Sequence, residues 1–261
     1  MSLLTPANGA LERLTGRRLQ RNAPHEQFFA RLQDLHFGRP TTDLDAFARF
    51  VCLHFGHAHG MTFQDLWVLH TLGELRGGFF VEFGAQDGVA CSNTLLLERE
   101  YDWRGIVAEP DPRCHDALRR NRPRSGVDTR CVHVDSGKSV EFILANPSTL
   151  SVIAGYESPD IHPELRGASN RTVIETVSLA DLLDGHHAPT VVDYLSIDTE
   201  GSEYDILAGF PFDRTVRCIT VEHAEHREPI HNLLGQRGFR CVLPEVSDYE
   251  SWFIHESVVA A

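Results

Sequence analysis

Lysine is nearly absent from this 261-residue chain: Lys138 is the only one, and arginine carries the rest of the positive charge. That bias conveys no function by itself. The shortage of cations as a class does, since 24 Lys and Arg face 37 Asp and Glu, a formal net charge of −13. Binding polyphosphate needs clustered cations, so nucleic acid is excluded as a substrate class. Two local exceptions, Arg17-Arg18 with Arg21 and Arg119-Arg120 with Arg122 and Arg124, read as solvated helix ends. Also missing is any apolar run long enough to span a bilayer, which leaves no membrane partner to expect. Met1-Ser2-Leu3-Leu4 is too short for a signal-peptide core. Six cysteines (Cys52, Cys91, Cys114, Cys131, Cys218, Cys241) form no C-x-x-C pair, which argues against a zinc knuckle and for reduced thiols in a cytoplasm.

With 42% hydrophobic and 23% charged residues, the chain reads as an ordinary globular protein, one domain or one plus a small cap. Its centre is the stretch Phe79-Phe80-Val81-Glu82-Phe83-Gly84-Ala85-Gln86-Asp87-Gly88. β-favouring residues run into an acid and then a glycine turn, and Ser92-Asn93-Thr94 opens an apolar helical run at Leu95. A buried parallel strand, a tight turn and a helix N-terminus make a nucleotide-type crevice. A second strand, Gly105-Ile106-Val107-Ala108, ends in Glu109-Pro110. An acid at that tip, about 20 residues past the turn, is placed to accept both ribose hydroxyls.

The glycine register separates two kinds of adenosine cofactor. A dinucleotide fingerprint starting at Gly84 needs glycines at positions 86 and 89, where this chain has Gln86 and Val89. Glu82 and Asp87 flank the turn instead. Carboxylates repel a diphosphate and suit the ammonium and sulfonium of S-adenosylmethionine.

These segments resemble the FkbM family of S-adenosylmethionine-dependent methyltransferases. The resemblance rests on Glu82 to Gly88, Ser92-Asn93-Thr94, Trp103-Arg104-Gly105 and Glu109-Pro110, preceded by Gln64-Asp65-Leu66. It continues through Ser196 to Glu203, Val221-Glu222-His223, Gly238-Phe239 and Trp252-Phe253, covering roughly residues 60 to 255 in the family's order. Gln86 stands where the family usually has Asn, and Tyr249-Glu250-Ser251 where an acidic pair commonly precedes Trp-Phe. The resemblance implies a class I methyltransferase fold, Rossmann-like, with a sugar or polyketide-type hydroxyl as the acceptor.

Along the chain, Pro6, Pro24 and Pro40 divide a weakly patterned start that includes a helical piece from Glu26 to Leu35. Thr42-Asp43-Leu44-Asp45 and Thr62-Phe63-Gln64-Asp65 look like capping boxes, so residues 1–72 read as an N-terminal helical cap before a domain at 73–261. From 79 onward strand and helix alternate, the pattern of an α/β, doubly wound, mostly parallel seven-stranded sheet. Strands are expected near 79–84, 105–109, 129–134, 191–197 and 217–222, with an antiparallel pair near 239–243 and 251–255. The third would end at Asp135-Ser136, where this fold usually meets the adenine ring; a plain turn before Gly137 is the alternative. Residues 146 to 171, broken by Pro147, Gly155, Pro159, Pro163 and Gly167, read as an acceptor-recognition loop.

Ligands of such sheets bind outside the carboxyl ends of the strands. The expected cofactor contacts are Glu82, Gly84, Asp87, Gly88, Ser92, Asn93, Thr94, Glu109, Asp135, Ser136 and Asp198. Asp198 ends the fourth strand, and Glu222-His223 end the fifth, so Asp198 and His223 are the candidate general bases. The same positions hold a metal in metal-assisted O-methyltransferases of this fold, which makes Asp198, Glu222 and His223 candidate ligands for magnesium, manganese or zinc. Cys91, just after the turn, reads as a small buried residue. N- or C-methylation on the same scaffold and a non-catalytic adenosyl-binding module stand as alternatives. The N-terminal helices offer a surface on which two subunits could pair.

Overall fold

The computed structural model describes residues 42–156, 170–223, 226–244, 246–247 and 249–258. The expected helix at Glu26–Leu35, the arginines of the 17–21 cluster and residues 157–169 of the proline-rich loop lie outside the described residues.

Helices α1 (Thr42–His54) and α2 (Gln64–Thr71) come first. Leu44, Phe47 and Val51 recur at helical spacing on α1, so one stripe is buried, against Leu66, Trp67 and Leu69. The expected capping box at Thr62 is not formed. Phe63 takes the N-cap position with φ 68° and no side-chain cap. Thr62 gives its hydroxyl to the buried Glu250, while Asp65 accepts the N–H groups of His59 (2.7 Å), Gly60 (3.2 Å) and Leu66 (2.9 Å). A buried carboxylate competes successfully for the hydroxyl because it needs donors more than a helix end does.

The main sheet is built from β1 (Phe79–Phe83), β2 (Arg104–Ala108), β3 (Gly126–Asp128), β8 (Val191–Ile197), β9 (Thr215–Glu222), β10 (Phe239–Val242) and β11 (Glu250–His255). Its order is β10-β11-β9-β8-β1-β2-β3, parallel except for β11, which runs antiparallel to both neighbours. Alternate side chains serve opposite cores. Phe80 and Tyr194 join Trp67, Leu96 and Trp103 on the face of α1, α2 and α3 (Leu95–Glu100), where Leu118 of α4 (His115–Asn121) also packs. Val81 and Leu195 face α5 (Leu179–Gly185), α6 (Glu203–Gly209) and α7 (Arg227–Gly235), through Leu182, Ile206 and Ile230. The seven-stranded doubly wound sheet is therefore present, and α1 and α2 share one core with it.

The third strand differs from expectation. Only Gly126–Asp128 pairs with β2, and Asp128 then takes Arg130 in an ion pair at 2.6 Å. Cys131–His133, inside the expected 129–134 strand, is β4 of a second sheet with β5 (Ser139–Leu144), β6 (Val152–Ile153) and β7 (Asn170–Ser178). That sheet runs β4-β7-β5-β6, with β5 and β7 paired antiparallel over six residue pairs. The chain turns out of the main sheet once its acid is satisfied beside it. None of the described helices is long and apolar enough to cross a membrane.

Candidate active site

From β1 the chain turns through left-handed backbone at Gly84 (φ 69°), Gln86 (49°), Gly88 (77°) and Cys91 (55°). Glycine at 84 is dictated by contact as well as by φ: a Cβ there would stand 2.3 Å from the Asp198 carbonyl oxygen. The β1 turn and the end of β8 are thereby pressed together, as the switch point of such a sheet requires. Asp87 holds the turn, its Oδ1 accepting the N–H groups of Val89 and Ala90, each at 2.9 Å. Cys91, expected to be buried, is exposed beside it.

Beneath the turn lies a polar cluster. The Glu82 carboxylate is buried and accepts from Asn93 N (2.6 Å), Thr94 Oγ1 (2.6 Å) and Ser92 Oγ (3.0 Å). Arg122, read from sequence as a solvated helix end, is 0% exposed and adds Nη1 at 3.3 Å. Its neighbours Arg119 and Arg120 are indeed exposed on the last turn of α4. Helical rotation accounts for the difference: Leu118, one turn earlier, is also fully buried. Asn93 Nδ2 donates to Ser196 Oγ at 3.0 Å, and Asn93 Oδ1 is buried without a partner among the described residues.

Above the turn a crevice opens at the carboxyl ends of β1, β2 and β8. Phe83, Ala108, Val132 and Phe142 supply apolar wall, and Glu109, Arg130 and Asp198 supply charge. Glu109 accepts the N–H groups of Gln86 (2.8 Å) and Asp111 (2.8 Å). Burial nevertheless pushes its carboxyl up to about 7, with the Asp111 and Asp198 charges adding to the effect. The crevice also takes Ser148, Thr149, Ser151 and Ile153, so the described part of the proline-rich loop forms one of its walls. Glu82, Ser92, Asn93 and Thr94 do not line it. Asp135 and Ser136 lie apart, in the loop after β4. There Thr176 Oγ1 donates to Asp135 O (2.6 Å), and Ser136 Oγ accepts the Ser178 N–H (2.8 Å). The crevice wall from this part of the chain is Arg130, Cys131 and Val132.

One end of the site is strongly acidic. Carboxylate oxygens of Asp198, Glu200 and Glu222 lie within 4.8 Å of one another. Crowding by protein and the charges of Glu203, Glu250 and Glu82 push Asp198 up, less than full burial would, because it is exposed to the crevice. Glu222 is raised by burial and then by Asp198, Glu200 and Glu203. Each of Asp198 and Glu222 feels the other's carboxylate at this distance, so the two titrate as a coupled pair. His223 follows on β9, buried, with its N–H donating to Tyr249 O at 3.0 Å; the three-carboxylate group forms without it. Tyr249 Oη is buried without a hydrogen-bond partner among the described residues, and burial with the Glu250 and Glu222 charges keeps it protonated. The sequence groups Glu200 with Asp198 and Glu222 as acids in need of a partner, while the expected metal set takes His223 instead; Glu200 lies past the strand end, at φ 62°.

A parallel sheet with its last strand inserted antiparallel between β9 and β10, and an acid at the tip of β2, defines the class I methyltransferase fold. The chain belongs to the FkbM methyltransferase family, whose domain, described as "Methyltransferase FkbM domain", matches residues 82–241. That family and fold imply S-adenosylmethionine as the methyl donor. No curated protein matches the chain. Among solved structures it is similar to methyltransferase FkbM from Methylobacillus flagellatus KT, at 15% identity and TM-score 0.38. The match covers 83% of this chain and 63% of that one, so the chain spans under two thirds of its length. A methyltransferase from Geobacter sulfurreducens is 12% identical over 87% of this chain and 96% of that one, with TM-score 0.44.

Proposed function

We propose that the chain methylates a hydroxyl of a small molecule, a sugar or polyketide-type natural product, using S-adenosylmethionine. The carrying observation is the group of Asp198, Glu200 and Glu222 beside the Gly84 turn. The residues present suit the donor. Glu109 keeps a free lone pair on each carboxylate oxygen for ribose hydroxyls, and the apolar wall suits an adenine. When bound, the sulfonium supplies an electrophilic methyl carbon. The chain's own task is then alignment and proton removal. Asp198, its carboxyl raised among neighbouring acids and open to the crevice, is the first candidate base. His223, at the same strand end, is the second candidate base. In this proposal the enzyme works in the cytoplasm, without nucleic-acid or membrane partners.

A divalent metal is the second reading, favoured by the three clustered carboxylates. The set that comes together is all oxygen, which suits magnesium or manganese better than zinc. Asp198, Glu200 and Glu222 would hold the ion, which would lower the pKa of an acceptor hydroxyl.

Calorimetric titration with S-adenosylmethionine and with NADH, before and after chelator treatment, tests the proposal. Binding of S-adenosylmethionine but not NADH is expected; no binding of S-adenosylmethionine refutes the donor. Asp198→Asn should stop turnover with the fold intact. If the metal reading holds, chelation stops turnover and leaves donor binding unchanged.

A further inference from the structure

Arg122 is wholly buried yet makes no contact with the crevice. Its guanidinium gathers four separate pieces of the chain. Nη1 reaches Glu82 Oε2 on β1 (3.3 Å), the Gly88 carbonyl in the turn (3.4 Å) and Ser92 Oγ before α3 (3.0 Å). Nη2 donates to Thr94 Oγ1 (2.7 Å), and Nε to Glu98 Oε2 within α3 (2.7 Å). The stem runs directly under the turn: a Cβ on Gly88 would lie 2.5 Å from Arg122 Cγ, and the guanidinium sits 5.3 Å from the Phe80 ring centre. The preceding residue repeats the direction, Asn121 Nδ2 donating to Asp87 O at 2.7 Å.

A structural ion pair would need only one of these contacts. Here two buried carboxylates are matched by one cation whose planar fork meets five acceptors. The acceptors all belong to the strand end, the turn and the first residues of α3, the segment whose backbone borders the crevice at Gly84 and Gln86. We propose that Arg122, with Asn121, is a positioning residue for donor binding. It fixes the height of the 84–93 turn against the end of β8 and so sets the subsite for the amino-acid end of S-adenosylmethionine. This rests on the donor reading above. The nucleoside end is served by Glu109 on the β2 tip, which Arg122 does not touch; Glu109 meets the turn only through the Gln86 N–H and is also held by the Asp111 N–H.

That separation supplies the test. S-adenosylmethionine and 5′-methylthioadenosine, which lacks the amino-acid portion, are titrated into wild type, Arg122→Lys and Asn121→Ala. Arg122→Lys keeps the charge and loses the fork. It should weaken S-adenosylmethionine by about tenfold or more, the scale of one lost hydrogen bond to a charged group, while 5′-methylthioadenosine changes little. Asn121→Ala should shift the same ratio in the same direction by less. Should Arg122→Lys fail to fold, Asn121→Ala and the charge-compensated Arg122→Met/Glu98→Gln decide. Parallel loss of both ligands in folded protein would mean a purely structural role and overturn the inference, as would unchanged affinity for both. Failure of the wild type to bind S-adenosylmethionine would instead refute the donor reading.

Discussion

Glu109 illustrates how one buried carboxyl links ligand binding to pH. Its native pKa is about 7 against 4.5 for an unperturbed glutamate, so the native state keeps a proton that the unfolded chain has released. Between those two values the native state holds more protons, and stability falls as pH rises. The loss reaches about 3 kcal/mol by neutral pH. Glu109→Gln should remove that part of the slope, seen by comparing urea unfolding of the two proteins from pH 5 to 8; an identical slope would contradict the assignment. In the proposed donor site ribose hydroxyls would donate to the ionised form, so wild-type affinity for S-adenosylmethionine should rise through the same range and the variant's should not. Gly84 is the other residue with a sharp expectation. Gly84→Ala places a methyl group against the Asp198 carbonyl in left-handed backbone, costing roughly 2 kcal/mol or more and most donor affinity. A melting temperature within a degree of wild type would show the turn to be softer than its contacts imply.

At the level of elements, one carboxylate joins the start of α2 to β11, beside the Trp67–Trp252 ring contact. Glu250, buried, accepts from Thr62 Oγ1, Gln64 Nε2 (2.9 Å) and Trp252 Nε1 (2.8 Å). Glu250→Ala would leave three buried donors unsatisfied, a destabilisation of roughly 3 kcal/mol or more. Hydrogen exchange should then rise in α2 before the β-sheet core; uniform exchange would mean that the cap has no local anchor. Gln64-Asp65 and the Tyr249-Glu250-Ser251 departure were legible in sequence as motifs, but their pairing across 186 residues was not. The main strands could be read because parallel strands buried on both faces are continuous apolar runs. The second sheet was harder to see. Its β7 alternates buried and exposed residues only in part, and β5 and β7 are separated by the proline-rich loop. Arg122 escaped for a related reason: composition places an arginine among arginines, and only the phase of α4 puts it inside.

Over the whole molecule the charge is uneven as well as negative. The described acids that matter most, Asp198, Glu200 and Glu222, stand together at one end of the crevice. With a net −13, the chain should give no mobility shift with duplex DNA or RNA at roughly 0.1 M salt. A clear shift would reopen the question of acceptor class. Mass in solution by light scattering reads whether the N-terminal helices pair two subunits.

The position of β11 also governs how the protein comes into being. It enters between β9 and β10, two strands made earlier on the ribosome. Until residues 250–255 emerge, β9 presents an unpaired edge, β10 has no neighbour, and α2 lacks Glu250. The Gly84 turn and the acids at the strand ends are therefore made before the sheet that carries them can be completed. Only when β11 is available do β9 and β10 gain their shared neighbour and α2 its Glu250 contact.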